Sequence, residues 1–289
     1  MTHRRQFLKT VGTGLAVTVV SNKLFAFGLP DHFSSVHRNF GLQLYTLRDD
    51  LPKDPKGVLN QVAKFGYKQV ESFEGDQGMF WGMKPSEFKR LMDDLGMKII
   101  SSHCDINKNF EEKVEQAASI GMKYLICPYL GPQKEMDDYK RAAETFNKRG
   151  ELCKKAGIRF AYHNHDYSFT PVKGQFPQDI MMKNTEKQLV DFEMDIYWVV
   201  TAGQDPMKWF DRYPGRFRLC HIKDRKKNKP LSDKDATCIL GKGEINFPRI
   251  LAHGKTKGLE YNIVEQEQYE TTPLEAAKED AGYLKKLKI

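Results

Sequence analysis

The twelve residues from Lys154 to His165, KKAGIRFAYHNH, contain the pattern that decides the fold. Within them, Gly157 follows an amphipathic run and precedes the apolar run from Ile158 to His163. Glycine readily takes the left-handed backbone conformation that ends a helix, so we interpret this point as a helix-to-strand junction. The same junction recurs at Gly66, Gly96, Gly121 and Gly258.

Short apolar or β-branched runs follow these glycines, and three similar runs bring the number of predicted strands to eight. Such runs are typical of strands covered on both faces by helices. The predicted strands are Phe40 to Leu47, Tyr67 to Phe73, Met97 to His103, Met122 to Pro128, Ile158 to His163, Leu189 to Asp195, Arg216 to His221 and Leu259 to Glu265.

Helices are predicted between these strands. They include Lys84 to Leu95, Phe110 to Ile120, Glu135 to Lys155, Asp205 to Tyr213, Phe247 to Lys257 and Pro273 to Leu287. Alternating strands and helices favour a parallel sheet, and eight such units close into a single (β/α)8 TIM barrel. An open doubly wound sheet is the rival fold. It is disfavoured because that fold needs a glycine-rich phosphate loop at the end of the first strand. The chain has Tyr45-Thr46-Leu47-Arg48 there instead.

The first 26 residues differ from the rest of the chain. They combine Arg4, Arg5 and Lys9 with an apolar stretch from Val11 to Val20, and they end near Ala26. That order resembles a twin-arginine export signal, and the apolar stretch is too short to span a membrane. We therefore expect an export signal in residues 1–26, a linker in 27–39 and a barrel domain in 40–289, with a periplasmic location and no membrane anchor. The alternative is a disordered basic tail on a cytoplasmic protein.

The charge of the chain argues against a nucleic-acid partner. Without the first 26 residues, Lys and Arg fall from 46 to 42 against 38 acidic residues, so the net charge is +4 rather than +8. A nucleic-acid site would need these charges on one face. The dense basic run from Lys223 to Lys229 is interrupted by Asp224 and Asn228 and predicts a solvated loop.

The five cysteines show no paired spacing. Their odd number argues against a disulfide framework and against a zinc-thiolate site. Three of them lie in apolar runs that we interpret as strands, and we expect those three to behave as small buried apolar residues.

Polar residues collect where the predicted strands end, which is where a barrel of this kind places its active site. Residues two apart in a strand share a face. The same-face pairs are His163 with His165, Glu193 with Asp195, His221 with Lys223, and Glu265 with Glu267. Imidazole and carboxylate groups on convergent strands are ligands for Mn²⁺, Zn²⁺ or Mg²⁺. Any one of these residues is more often structural, but burying several charges together without a cation would be costly.

These motifs resemble the sugar phosphate isomerase/epimerase family, which has the xylose isomerase-like barrel. The resemblance runs from about Phe40 to the end of the chain. It is densest in Tyr162 to Asp166, Phe192 to Pro206, His221 to Asp224, Gly241 to Phe247 and Val264 to Gln266.

The resemblance implies that Asp195, His221 and Glu265 are metal ligands, with His163 as the fourth. His163 stands where ketose epimerases carry a glutamate, and Ser168 stands where close relatives carry another. Histidine can serve as a base or as a ligand.

The resulting hypothesis is a metal-dependent isomerase or epimerase that removes a proton beside a sugar carbonyl. Glu265, His163 or His165 would move the proton. Glu71, His103 and Lys223 would orient substrate hydroxyls, and Trp198 would cover an apolar sugar face.

Three alternatives stay open at this point. Loss of a β-substituent at the same site would make the protein a dehydratase or lyase on a keto-sugar or keto-glycoside. A nuclease on this fold would need a basic groove, and a non-catalytic sugar-binding protein would not need the ligand set. The sequence leaves the metal, the substrate and the oligomeric state open.

Overall fold

The computed structural model describes residues 39–288. Eight parallel strands close into a barrel in which each strand pairs with its neighbours in chain order and the last strand pairs with the first. The barrel strands are β1 (Gly41–Gln43), β2 (Gln69–Phe73), β3 (Lys98–His103), β4 (Tyr124–Cys127), β5 (Arg159–His163), β6 (Val190–Asp195), β7 (Phe217–Ile222) and β10 (Tyr261–Val264). Outside the barrel, β8 (Asp224–Arg225) and β9 (Thr237–Cys238) form a small antiparallel pair. The predicted (β/α)8 barrel is confirmed.

Helices connect the barrel strands. They are α1 (Pro55–Phe65), α2 (Pro85–Asp94), α3 (Phe110–Ser119), α4 (Met136–Lys155), α5 (Pro177–Asn184), α6 (Ile196–Thr201), α7 (Pro206–Arg212), α8 (Phe247–Thr256) and α9 (Pro273–Leu284). Gly66 and Gly157 have φ of 101° and 77°, so these junctions use the left-handed conformation predicted from the sequence.

The predicted export signal in residues 1–26, and all of the linker except residue 39, lie outside the described residues. Within the part of the chain that the structure does describe, no helix combines the length and the apolar character needed to span a bilayer.

The structure shortens the first predicted strand and adds a helix after the sixth. β1 ends at Gln43 because its side-chain oxygen accepts a hydrogen bond from Tyr45 N at 3.0 Å, and a 3-10 helix then covers Leu44–Leu47. Helix α6 begins directly after β6 because Asp195 Oδ1 accepts from Trp198 N at 3.2 Å and caps the helix. Both turns bring side chains back over the barrel mouth.

The interior of the barrel changes from apolar to polar along its axis. Tyr124, Ile126, Ala161, Leu219 and Ile263 form a small buried apolar cluster of their own. Ile126 lies in register with His103, and Ile263 lies in register with His221. Residues in register on adjacent strands point to the same side of a sheet, so both histidines face the barrel interior beside this cluster.

The basic run after β7 is not a solvated loop over its first three residues, and that prediction is wrong there. Lys223, Asp224 and Arg225 are all fully buried. The Arg225 guanidinium donates to the carbonyl oxygens of Asp233 and Pro230, at 2.9 and 2.5 Å. Burial of these loop carbonyls requires a donor, and one guanidinium can serve several of them.

All five cysteines are free and buried, so burial extends beyond the three for which it was predicted. They are Cys104, Cys127, Cys153, Cys220 and Cys238.

A buried acid on α9 gives a first prediction, about stability. Asp280 is 1% exposed, and its Oδ1 accepts from Leu240 N at 2.8 Å. Burial raises its pKa to about 7, against about 3.9 for an unfolded Asp. Between about pH 4 and pH 7 the folded state therefore keeps a proton that the unfolded state loses, so this group's contribution to stability falls as pH rises through that window.

We expect Asp280→Asn to raise the free energy of unfolding at pH 8 by on the order of 1–3 kcal/mol, with little change at pH 4.5. The reason is that asparagine keeps the acceptor for Leu240 without a charge to bury. Urea unfolding at both pH values would measure this effect, with Glu115→Gln on the exposed face of α3 as the matched control. An equal change at the two pH values would contradict the assigned cause.

Candidate active site

The carboxyl ends of β5, β6, β7 and β10 bring most of the predicted polar residues into one buried network. The side chains that belong to it are fully or almost fully buried: His163, Glu193, Asp195, His221, Lys223 and Glu265. The period of two along each strand therefore placed residues of four different strands on one common face.

The predicted ligands Asp195, His221 and Glu265 converge. Each offers an imidazole nitrogen or carboxylate oxygen, and these atoms all lie within 4.8 Å of one another. His221 Nδ1 lies 3.1 Å from Glu265 Oε2 and 3.8 Å from Asp195 Oδ2. His163 Nε2 is also 3.8 Å from Asp195 Oδ2, so the fourth predicted ligand borders the same cluster.

Lys223 supplies a positive charge between the carboxylates. Its Nζ lies 2.5 Å from Glu265 Oε2, 3.0 Å from Asp195 Oδ2 and 2.9 Å from Glu267 Oε1. Burial lowers the pKa of Lys223, but attraction to Asp195 and Glu265 outweighs it and leaves that pKa well above its usual value. Burial would raise the pKa of Glu265, yet Lys223 and His221 hold it well below its usual range. Both groups are charged at neutral pH.

A second group of side chains surrounds Glu193. Its Oε2 lies 2.8 Å from His103 Nε2, 3.0 Å from His163 Nδ1 and 3.3 Å from His221 Nε2. Burial and the nearby Glu71 raise the pKa of Glu193 to about 7. Burial lowers the pKa of His103, but Glu71 and Glu193 outweigh burial and raise it to about 9.

Glu71 contacts the ring nitrogen of His221 that does not face Glu265. Glu71 Oε1 lies 2.7 Å from His221 Nε2 and accepts from Gln43 Nε2 at 2.7 Å, while Ser101 Oγ donates to Glu71 Oε2. Strand register explains this set, because Gln43, Glu71 and Ser101 are in-register partners on β1, β2 and β3. Glu71 is fully buried there, so it orients an imidazole that was predicted to be a ligand.

His163 and His165 are uncharged at neutral pH. Burial, then repulsion by His221 and His103, lowers the pKa of His163 well below its usual value. Burial, then repulsion by Lys223, lowers the pKa of His165 to about 3. His165 Nδ1 has no hydrogen-bond partner among residues 39–288. A neutral imidazole can accept a proton, so both residues keep the property expected of a base.

A cavity opens onto this network, and we call it the main cavity. This main cavity has a volume of about 630 Å³. The polar part of its lining includes His103, His163, His165, Glu265 and Glu267 from the network, together with Arg48, Glu74, Asp105, Lys108 and Gln268. The aromatic part is Tyr45, Phe73 and Tyr129.

Three of the residues predicted to contact substrate do not line the main cavity. Glu71 and Lys223 are fully buried in the network, and Trp198 packs behind His165 with their ring centroids 5.4 Å apart. Conversely, the sequence reasoning missed Phe73 and Tyr129. Tyr129 comes two residues after the end of β4, so the rule that singled out the other strand ends could have found it.

The sequence that forms this barrel matches a known protein family. The family model for the xylose isomerase-like TIM barrel matches residues 59–287. The chain belongs to the xylose isomerase-like TIM barrel family. The resemblance that was inferred from the strand-end motifs is thereby confirmed.

Relatives within this family include a sugar phosphate isomerase/epimerase from Parabacteroides distasonis. It is 32% identical with a TM-score of 0.75, and the match covers 87% of this chain and 95% of that protein. An inosose dehydratase from Mesomycoplasma hyopneumoniae is 26% identical over 271 residues, covering 86% of this chain and 85% of the relative. A xylose isomerase-like barrel protein from Mycobacterium smegmatis, solved in complex with magnesium, is 15% identical with a TM-score of 0.64, and the match covers 86% of this chain and 96% of that protein. This last likeness shows the fold alone.

The prediction of an enzyme like the sugar isomerases and epimerases is confirmed by these comparisons. A small molecule is the kind of substrate that the family handles. The dehydratase relative adds weight to the lyase alternative.

Proposed function

We propose that this protein is a metal-dependent sugar isomerase or epimerase that abstracts a proton beside a carbonyl of a sugar or keto-sugar. The observation that carries the proposal is the convergence of Asp195, His221 and Glu265 within 4.8 Å of one another, next to the uncharged His163 and His165. Such a site combines ligands for a cation with groups that can accept a proton.

The residues fit a divalent cation. Asp195 Oδ2 is buried, and it shares a single ammonium, that of Lys223 at 3.0 Å, with two more carboxylates, Glu265 and Glu267. His163, Asp195, His221 and Glu265 would hold Mn²⁺, Zn²⁺ or Mg²⁺, and the cation would stabilise negative charge on a substrate oxygen. Lys223 competes for the same oxygens, but Glu267 Oε1 offers its ammonium another partner at 2.9 Å.

We assign the proton transfer to His165, with His163 and Glu265 as the other candidates. His165 lines the main cavity and is uncharged. His163 Nδ1 is engaged by Glu193 at 3.0 Å, and Glu265 is held as a carboxylate by Lys223 and His221. Glu265 also belongs to the group of residues that would hold the cation, so we assign it to cation binding rather than to proton transfer.

Elimination at the same site is the second candidate. The dehydratase relative favours it, since proton removal beside a carbonyl followed by loss of a β-substituent gives dehydration. A keto-sugar or keto-glycoside would be the substrate. The same residues would remove the proton in both reactions. The electron pair left on carbon takes up a new proton in isomerisation or epimerisation, and it expels the β-substituent in elimination.

The proton step is tested by solvent exchange. The metal-loaded protein is incubated in deuterated water with Mn²⁺, Zn²⁺ or Mg²⁺ and a panel of ketoses, keto-sugars and keto-glycosides. Deuterium in recovered substrate or isomer supports the proposal, and a dehydrated product supports elimination. A panel that yields neither deuterium nor product would leave a sugar-binding protein as the better description.

We also propose, from the sequence alone, that the protein is exported to the periplasm through its twin-arginine-type signal. Cell fractionation of the full chain against an Arg4→Lys, Arg5→Lys variant tests this. Equal amounts in the periplasmic fraction would contradict it.

A further inference from the structure

Two exposed aromatic rings stand at the main cavity. Tyr129 is 58% exposed and Tyr45 is 40% exposed. Among residues 39–288 the third exposed large apolar side chain is Leu231, which lies away from that cavity. Two of these three exposed side chains therefore border one cavity, and exposed apolar surface gathered at a cavity is typical of ligand contact.

Both rings are held in place by their neighbours. Tyr45 packs edge-on against Phe73 with ring centroids 5.1 Å apart, and Arg48 lies 4.8 Å from the Tyr45 ring centroid. Tyr129 packs edge-on against His165 at 5.0 Å. Rings fixed in this way lose little conformational entropy when a ligand binds to them.

The loop that carries Tyr129 is fastened as well. Tyr167 Oη accepts hydrogen bonds from Leu130 N at 3.1 Å and from Gly131 N at 3.0 Å. These two amides directly follow Tyr129 in the chain. The Tyr129 ring is therefore an ordered part of the cavity wall.

The cavity is large enough for more than one ring. Its volume of about 630 Å³ lies within the range of roughly 300–1,000 Å³ typical of sites for drug-sized ligands. A reacting sugar at His163, His165 and Glu265 would not fill this volume, so a further group could lie against the exposed rings that line it.

The charges around the cavity disfavour an anionic group there. Arg48 already donates to Tyr269 Oη and to Glu267 O, at 2.9 and 3.0 Å, and Lys108 lies 3.5 Å from Asp105. Carboxylates from four residues line the same cavity, namely Glu74, Asp105, Glu265 and Glu267. Arg48 and Lys108 therefore already have partners, and the four carboxylates would repel a phosphate.

We propose that Tyr45, Phe73 and Tyr129 form an outer subsite for an uncharged ring joined to the reacting sugar. The apolar face of a second sugar or of an aromatic aglycone would pack on these rings. The inference rests on the proposed function, because that function places the reacting sugar at His163, His165 and Glu265. The substrate is then a keto-glycoside, whose keto group acidifies the neighbouring C–H, rather than a free or phosphorylated monosaccharide.

Calorimetric titration of the metal-loaded full chain tests the subsite. The probes are methyl and phenyl glucosides and galactosides in both anomeric forms, cellobiose, maltose and glucose 6-phosphate. We expect at least one phenyl glycoside or disaccharide to bind about tenfold or more tightly than the matched methyl glycoside. A preference for the phenyl glycoside points to an aryl aglycone, and a preference for the disaccharide points to a second sugar.

Variants separate the rings from general effects on the fold. Tyr45→Ala and Tyr129→Ala should bring the ratio of ring-bearing to methyl glycoside affinity close to one, while Tyr129→Phe should keep it. Leu231→Ala is the matched control and should leave the ratio unchanged.

Three results with the wild type would overturn the proposal: a ratio of ring-bearing to methyl glycoside affinity near one across the panel, no binding by any member, or tightest binding by glucose 6-phosphate. A ratio that stays at the wild-type value in the Tyr45→Ala, Tyr129→Ala double variant would also overturn it. Solvent exchange is measured on the same protein preparations with the panel of ketoses, keto-sugars and keto-glycosides, because alkyl and aryl glycosides carry no carbonyl. A ring preference without exchange would refute the proposed function and keep the subsite, and exchange without a ring preference would do the reverse.

Discussion

His165→Gln is expected to lower solvent deuterium incorporation by about a thousandfold, the middle of the range for removal of a general base. His165 lines the main cavity, is uncharged, and has an Nδ1 without a hydrogen-bond partner in residues 39–288. Glutamine keeps a similar volume but cannot accept the proton. Deuterium content of recovered substrate, followed by mass spectrometry, gives the rate.

The cation affinity of the His165→Gln variant shows whether the substitution removes a proton-transfer group or disturbs the residues that would hold the cation. His165→Gln should change the Mn²⁺ affinity by less than about threefold, since His165 is not among the residues that would hold the cation. His253→Gln is the matched control, because His253 pairs with Asp211 on the outer helices at 3.0 Å. Exchange at the wild-type rate in His165→Gln would transfer the role to His163 or Glu265.

Asp195→Asn is expected to weaken divalent-cation binding by at least about a hundredfold and to abolish exchange at micromolar metal. Its buried carboxylate is one of the two acidic members of the convergent cluster, and an amide supplies no negative charge. Titration with Mn²⁺ followed by electron paramagnetic resonance gives the affinity, and added chelator should stop exchange in the wild type.

Two further variants should lose less cation affinity than Asp195→Asn. Glu71→Gln removes a charge that touches His221 Nε2 at 2.7 Å without belonging to the ligand set, so a loss of about 10–100-fold in affinity is expected. Asp211→Asn on the protein surface should bind the cation as the wild type does. Wild-type affinity in Asp195→Asn, or exchange that persists with chelator, would refute the assigned metal site.

The strand and helix order could be read from the chain because local rules govern it. Left-handed glycines end helices at Gly66 and Gly157, and runs covered on both faces are rich in apolar and β-branched residues. The ends of elements were less predictable. Gln43 and Asp195 each stop a strand through a side-chain hydrogen bond to a backbone N–H two or three residues later, and sequence periodicity does not register such a bond.

The sequence by itself determined the barrel and the set of convergent residues, because a period of two and the closure of eight strands suffice to bring His163, Asp195, His221 and Glu265 together. Tertiary structure alone decided the charge state and neighbours of each group. Burial and a nearby ammonium keep His165 neutral. Contacts between different strands hold Lys223 among three carboxylates and place Glu71 against His221. Those contacts join residues far apart in the chain, and the pKa of a group depends on what surrounds it in space.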